Sequence, residues 1–236
     1  MITKKDISVI FLAGGVGSRF QSDTPKQFLP LGHSPVALHS FNIFCTLPNV
    51  SEIVVVCAPE YHEIFKRQQL STSTSLKFAS PGVRRQDSVF NGLQVMSGNT
   101  ISYTCIHDAA RPLITAEQIH SVVNAAREHG AATIGMPVRY TVKEVDKDDF
   151  AANTPDRTNI WEIQTPQVIR TDWLKEGFDY VNKNNLTVTD DVSVVEQLNY
   201  PVKLVRGSHH NLKITVPEDL MLAEKILLGK SVVAEI

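Results

Sequence analysis

The strongest constraint on the fold is an apolar run, Ile7 to Leu12 broken only by Ser8, that passes straight into Ala13-Gly14-Gly15-Val16-Gly17-Ser18-Arg19-Phe20. Such a run reads as a buried strand, and glycines after it let backbone N–H groups converge where a Cβ would stand in the way. The loop is either a tight structural turn or an anion cradle. Arg19 brings a permanent guanidinium to it, and Lys26, behind Pro25, brings an ammonium. Two cations beside a glycine nest suit a polyphosphate.

Familiar phosphate motifs do not fit. A Walker loop needs Gly-Lys-Ser/Thr, and here Gly17 is followed by Ser18-Arg19. The dinucleotide fingerprint needs a third small residue where Phe20 stands, so a nicotinamide-dependent oxidoreductase is a weak reading. The run L-A-G-G-x-G-S-R followed by Pro25-Lys26-Gln27-Phe28 resembles the signature of nucleotidyltransferases that join a nucleoside triphosphate to a sugar phosphate.

The 236 residues, 42% hydrophobic, suffice for one substantial core, so a single domain spanning 1–236 is expected. A formal charge of −2 gives no basic field, which argues against nucleic acid and anionic membrane as partners. No apolar run approaches the roughly 18 residues of a membrane helix, and Lys4-Lys5 before Ile7 to Ala13 is too short a prelude for a signal peptide. Cys45, Cys57 and Cys105 are odd in number and set among apolar neighbours, reading as reduced core thiols. A cytoplasmic location is the expectation.

Helical and strand patterns alternate through the first 140 residues. Helices are predicted over Val36–Leu47, Pro59–Leu70, Gln86–Met96 and Ala116–His129, with strands over Ile53–Cys57, Leu76–Ala79, Tyr103–His107 and Ala132–Val138. That alternation predicts an α/β fold, a Rossmann-like, mainly parallel sheet flanked by helices, with ligands beyond the carboxyl ends of the strands.

Two further stretches carry candidate chemistry. In Ser80-Pro81-Gly82-Val83-Arg84-Arg85-Gln86-Asp87-Ser88 a turn opens a helix whose free N–H groups and Ser88 hydroxyl could face a base or phosphate, or simply cap a surface helix. In Ile106-His107-Asp108-Ala109-Ala110-Arg111-Pro112 a strand ends on an acid, where α/β enzymes hold a Mg²⁺ that bridges substrate phosphates. Asp108 is the metal candidate, set against local capping of N–H groups. Arg111 is placed to meet a phosphate on a second substrate, and His107 reads as a strand-end packing residue. Thr115 with Gln118 forms a capping box.

After Val138 the alternation breaks. Arg139 to Val145 alternates with period two before the charged Asp146-Lys147-Asp148-Asp149, predicting a β-arm at about 139–163 that leaves the domain and pairs with a second subunit. The chain re-enters the core at Gln164 to Gln167. A helix over Thr171–Lys183 follows, then Thr187 to Asp191 as a cap for a helix over Val192–Leu198. Strands are expected at Val202–Val205 and Leu212–Ile214, before a last helix opening on Pro217-Glu218-Asp219. Lys213, a cation within apolar surroundings, reads as functional in preference to snorkelling.

Taken together, Leu12 to Phe28, Gly82-x-x-Arg85-x-Asp87-Ser88, His107 to Pro112, Thr165-Pro166-Gln167, Thr189-Asp190-Asp191 and Lys213-Ile214-Thr215-x-Pro217-Glu218-Asp219 resemble the 2-C-methyl-D-erythritol 4-phosphate cytidylyltransferase family over nearly the whole chain. The resemblance implies a homodimer that uses CTP, Mg²⁺ and a polyol phosphate to make a CDP-alcohol and pyrophosphate for the non-mevalonate isoprenoid pathway. By position it implies that Ala13, Gly14, Gly15 and Gly17 line the triphosphate, with Gly82 and Ser88 near the cytosine. Arg19 and Lys26 would stabilise triphosphate charge, Asp108 would hold Mg²⁺, and Lys213 would bridge the two substrates. Arg111, Thr165 and Thr189 would grip the acceptor, joined by Thr141 and Arg157 from the neighbouring subunit's arm. Val83 and Tyr140 depart from the family pattern, which often has Asp at both places. The alternatives are a ribitol 5-phosphate cytidylyltransferase sharing the triphosphate site, and a non-catalytic nucleotide-binding regulatory protein.

Overall fold

In the computed structural model, residues 5–15, 20, 24–68, 74–98 and 101–229 are described. In chain order the strands and helices are β1 Ile7–Leu12, β2 Pro30–Leu31, β3 Ser34–Pro35, α1 Val36–Thr46, β4 Val50–Val56, α2 His62–Lys66, β5 Ser75–Ala79, α3 Arg85–Val95 and β6 Tyr103–Asp108. There follow α4 Ala116–His129, β7 Ala131–Pro137, β8 Glu144–Val145, β9 Ala151–Asn153, β10 Trp161–Arg170, α5 Thr171–Lys183, α6 Val192–Glu196, β11 Lys203–Arg206 and α7 Pro217–Leu227.

Seven strands form one sheet in the order β11-β7-β10-β6-β1-β4-β5. Of these, β10 alone runs antiparallel to its neighbours, β6 and β7, so the sheet is mainly parallel as the alternation predicts. The chain steps outward from β1 to β4 and β5, then returns to lay β6 on the other side of β1. The order of strands therefore reverses between β1 and β6, and such a switch point opens a crevice at the carboxyl ends of the strands. There the register pairs Leu12 with Asp108.

Both faces of the sheet are covered, which is why Ile53 to Val56 of β4 read as a continuous apolar run and not an alternating one. Successive β1 side chains serve opposite layers. Ile7, Val9 and Phe11 join the cluster with α1, α2 and α4, while Ile10 joins Val54, Val89 from α3, Phe178 from α5 and Val195 from α6. Phe11 lies at the centre of the first layer, edge-to-face against Phe41, Phe44 and Phe65 at 5.5, 6.2 and 6.1 Å between ring centroids. The predicted capping box opens α4, with Gln118 N–H donating to Thr115 Oγ1 and Thr115 N–H to Gln118 Oε1. Asp190 caps α6 by accepting from the Ser193 N–H at 3.1 Å. Cys45, Cys57 and Cys105 are buried and unpaired, and no helix among the described residues is long and apolar enough to cross a membrane.

Three expectations are corrected. The Pro59–Leu70 helix is a 3-10 turn over Pro59–Tyr61 followed by the short α2, because Tyr61 closes back on Ala58 before the α pattern begins. Leu212–Ile214 joins no sheet among the described residues. Its backbone bond runs from Ile214 N–H to the Ala110 carbonyl at 2.8 Å, which ties the segment to the loop after β6. The arm is shorter in strand than its period suggests, with β8 and β9 pairing only over two and three residues.

Truncating Phe11 removes the ring that three phenylalanines pack around, so Phe11→Ala is expected to lower unfolding stability by about 3 to 5 kcal/mol. Urea denaturation followed by circular dichroism measures it, and a loss under about 1 kcal/mol would contradict this packing.

Candidate functional site

A cavity of about 320 Å³ opens at the switch point, lined among others by Leu12, Gly14, Gly15, Lys26, Gly82, Ser88, Asp108 and Lys213. Three separate stretches build its walls. Behind β1, the Ala13 and Gly15 carbonyls both accept from the Gln27 amide, at 2.7 and 2.8 Å. Gln27 is buried, so one side chain holds the two carbonyls on the protein side of the loop and fixes its course around Gly14. Lys26, the neighbour of Gln27 in the short turn Lys26–Phe28, is thereby fixed relative to that loop.

The opposite wall presses close. A Cβ on Gly14 would stand 2.6 Å from Pro81 Cγ, and one on Gly82 would stand 2.7 Å from the Asp87 carbonyl carbon and 2.9 Å from Ser88 N. Only glycine permits these approaches. Ser88 closes the second loop, its Oγ accepting from Gly82 N–H at 2.9 Å and donating to the Arg84 carbonyl. Arg84 N–H donates to Asp87 Oδ2, which opens α3 with its first turn pointed at the cavity. Val83 is fully exposed at this rim.

Asp108 forms the floor. Its side chain is nearly buried, yet Lys213 Nζ lies 2.7 Å from Oδ2, and Arg85 Nε and Nη2 lie 3.1 and 3.0 Å from Oδ1. Burial alone would raise this carboxyl, but Arg85 and Lys213, with Arg111 beyond them, hold it well below the usual carboxylate range. Arg85 reaches further. Its Nη1 and Nη2 meet Asp191 Oδ1 and Oδ2 at 2.7 and 2.8 Å, a two-pronged pair across 106 positions of sequence. Burial lifts the Asp191 carboxyl, with Arg85 opposing. Burial also weighs against the charge on Arg85, but the two acids outweigh it and hold the guanidinium protonated.

Behind the floor runs a polar relay. Thr165 Oγ1 accepts from Asp108 N–H at 3.1 Å and lies 3.1 Å from His107 Nδ1, while His107 Nε2 lies 3.1 Å from the Arg111 carbonyl. A carbonyl can only accept, so Nε2 carries the imidazole proton, Nδ1 is bare, and the Thr165 hydroxyl donates to it. Burial lowers His107 to about 4, so the ring is neutral at physiological pH. Arg111 Nη1 donates to the Asn211 carbonyl at 2.8 Å, whereas its buried Nε has no partner among the described residues.

The structure thus brings Gly14, Gly15, Lys26, Gly82, Ser88, Asp108 and Lys213 to one cavity. Ala13 supports it from beneath, with Arg111 and Thr165 behind Asp108. Thr189 lines a different cavity of about 410 Å³ with Asp190, Ser193 and Glu196. Thr141 and Arg157 are exposed on the arm, where Arg157 Nη1 donates to the Arg139 carbonyl. Gly17 and Arg19 lie outside the described residues. Sequence reading missed the roles of Gln27 and Asp191 and the inward turn of Arg85, although all three stand inside motifs already singled out.

The family model for 2-C-methyl-D-erythritol 4-phosphate cytidylyltransferase (IspD) matches residues 7–229. The chain is 46% identical over 229 residues to the chloroplastic enzyme of that name from Oryza sativa subsp. japonica, covering 97% of this chain and 77% of the relative. It is 42% identical over 220 residues to the Chlamydia pneumoniae enzyme of the same name, covering 93% and 98%. Among solved structures, the 4-diphosphocytidyl-2C-methyl-D-erythritol synthase of Anaerococcus prevotii superposes with a TM-score of 0.82 at 25% identity, covering 95% of this chain and 99% of that one. The Thermus thermophilus 2-C-methyl-D-erythritol 4-phosphate cytidylyltransferase superposes with a TM-score of 0.74 at 29% identity, covering 93% and 97%.

The buried neutral His107 sets a pH dependence. Its folded value lies below the ordinary one, so the unfolded chain binds more protons between about pH 4 and 6.5, and stability falls as pH drops through that window. From pH 7 to 5 the loss from this one residue is expected to be about 2 kcal/mol. Urea titrations at the two pH values should show that loss in the unaltered protein and lack it in His107→Gln; equal pH dependence in both would refute the assignment.

Proposed function

Since the chain belongs to the 2-C-methyl-D-erythritol 4-phosphate cytidylyltransferase family, we propose that it transfers CMP from CTP to 2-C-methyl-D-erythritol 4-phosphate, giving 4-diphosphocytidyl-2-C-methyl-D-erythritol and pyrophosphate in the non-mevalonate isoprenoid pathway. The observation that carries this reading at the level of the site is the meeting of glycine loop, Lys26, Asp108 and Lys213 in one cavity at the switch point. An oxygen of the acceptor phosphate attacks the α-phosphorus of CTP as the bond from that phosphorus to the bridging oxygen breaks, and pyrophosphate leaves with the electron pair. The attacking group is already anionic. The protein therefore has to position two anions and offset their charge, and needs no strong base.

In this reading the loop of Ala13, Gly14, Gly15 and Gly17 holds the triphosphate, with Arg19 and Lys26 meeting the charge that grows on it. Gly82 and Ser88 face the cytosine. Lys213 stands between donor and acceptor. Arg111, behind Asp108, would serve the acceptor's phosphate from the second layer, while Thr165 has its proton committed to His107 and offers only a lone pair. Thr189 would serve the acceptor from the neighbouring cavity that it lines.

Asp108 is ionised and faces the cavity, but Arg85 engages its Oδ1 and Lys213 Nζ lies 2.7 Å from its Oδ2, so a divalent cation would meet this carboxylate only where Lys213 yields Oδ2. One carboxylate plus substrate phosphates is how Mg²⁺ is commonly held. Asp108 would hold it with the triphosphate, where it would supply positive charge to the phosphates.

The arm supports a homodimer. Tyr140, Val145 and Phe150 are 76%, 60% and 71% exposed on a ribbon of two short strands, which is marginal in water without a partner. A second copy would cover them and bring its Thr141 and Arg157 to this chain's acceptor side. A cytoplasmic location completes the proposal, in keeping with three unpaired cysteines.

Pyrophosphate release with CTP and Mg²⁺ is expected with methylerythritol 4-phosphate and not with ribitol 5-phosphate, and not with ATP, GTP or UTP as donor; preference for ribitol phosphate would overturn the pathway, and silence with every pair would favour a nucleotide-binding protein. Lys26→Ala is expected to lower turnover by about 10² to 10³ with the fold intact. Unaltered turnover would remove Lys26 from the machinery. Mixing Arg157→Ala chains with Lys26→Ala chains is expected to restore part of the activity that each lacks alone, and no recovery in mixed dimers would place the arm on its own subunit.

A further inference from the structure

Arg85 ties the second wall of the site to its floor and to the segment before α6. It stands at the first turn of α3, directly after the Gly82–Arg84 loop, and its guanidinium spans to the end of β6 and on to the segment before α6. The oxygens it touches all belong to buried carboxylates: Asp108 Oδ1 through Nε and Nη2, Asp191 Oδ1 through Nη1, Asp191 Oδ2 through Nη2. The far end is fixed in turn, since the N–H groups of Asp191 and Val192 both donate to Gln167 Oε1 at 2.8 and 2.9 Å.

An arrangement of this kind is a poor way to gain stability. Desolvating two acids and a guanidinium offsets much of their attraction, and paired apolar replacements of buried ion pairs are often neutral or stabilising. What the fork does provide is geometry. With Asp108 Oδ1 engaged by Arg85, the carboxylate plane is fixed and Oδ2 is the oxygen left to Lys213 and the cavity. Through Asp191 the same guanidinium sets how far the Gly82–Ser88 loop stands from the Thr189–Asp191 segment.

We propose that Arg85, which lines the cavity with its guanidinium committed to two carboxylates, is a positioning residue of the transfer reaction: it sets the orientation of Asp108 and the separation of the Gly82–Ser88 loop from the Thr189–Asp191 segment. A lysine has the charge but not the planar fork, and cannot hold both carboxylates in that geometry. The inference rests on the cytidylyltransferase reading, and the unaltered protein serves as its control.

The decisive variant is Arg85→Met with Asp191→Leu, which removes the strut and its buried partner charge together and leaves Asp108 paired with Lys213. The thermal midpoint is expected to match or exceed that of the unaltered protein. In pyrophosphate release with CTP, Mg²⁺ and methylerythritol 4-phosphate, kcat is expected to fall about 100-fold, with KM for CTP within about threefold, because a misplacement near 1 Å costs about that much in rate. A folded double variant with kcat within about threefold of the unaltered protein would overturn the proposal. Should the double variant not fold, Arg85→Lys decides: kcat down at least about tenfold at an unchanged thermal midpoint supports positioning, and near-normal kcat refutes it. Inactivity of the unaltered protein would count against the cytidylyltransferase reading itself, a result distinct from equal activity in protein and variant.

Discussion

An ionised carboxylate taken out of water must be surrounded by cations and donors, and Asp108 obtains them from segments far apart in sequence. Arg85 comes from the helix after β5 and Lys213 from the stretch before α7, while Thr165 from β10 fixes the backbone beneath the carboxylate by accepting the Asp108 N–H. Each contact requires the chain to return to the carboxyl end of β6. The switch in strand order is what makes that possible, because it leaves the ends of β1 and β6 side by side with no helix crossing between them. The charge arrangement and the topology are therefore one constraint seen at two scales.

The glycine loop obeys a different requirement. Its conformation is not set by glycine alone, since glycine permits many courses of backbone and selects none. Selection comes from the Gln27 amide, which binds the carbonyls before and after Gly14, and from Pro81, which stands where a Gly14 side chain would be. Lys26 and Gln27 are adjacent, so the cation and the side chain that shapes the glycine loop move as one. The same coupling appears at the floor, where His107 is a neutral spacer whose one ring proton fixes the direction of the Thr165 hydroxyl.

Much of this was legible in the residues. The buried runs of β1 and β4, the capping box of α4, the acid at the end of β6 and the unusual cation at Lys213 all declare themselves by local pattern, because each is a local requirement of burial, capping or charge. What sequence hides is pairing across distance. Arg84 and Arg85 look alike as neighbours, yet one pairs with Asp87 on its own helix and the other turns inward to Asp191. Leu212 to Ile214 has the composition of a strand, but a backbone bond to Ala110 takes it to the site and not into the sheet. Pro59 to Leu70 fails as one helix because the chain tightens into a 3-10 turn first.

The central claim is that an oxygen of the acceptor phosphate displaces pyrophosphate from the α-phosphorus of CTP in this cavity. Acceptor carrying ¹⁸O in its phosphate tests it directly, with products followed by ³¹P NMR. The account predicts ¹⁸O retained in the diphosphate of the CDP-alcohol, including its bridging position, and none in pyrophosphate. Label appearing in pyrophosphate, or a product joined through a carbon-bound hydroxyl of the acceptor, would contradict it.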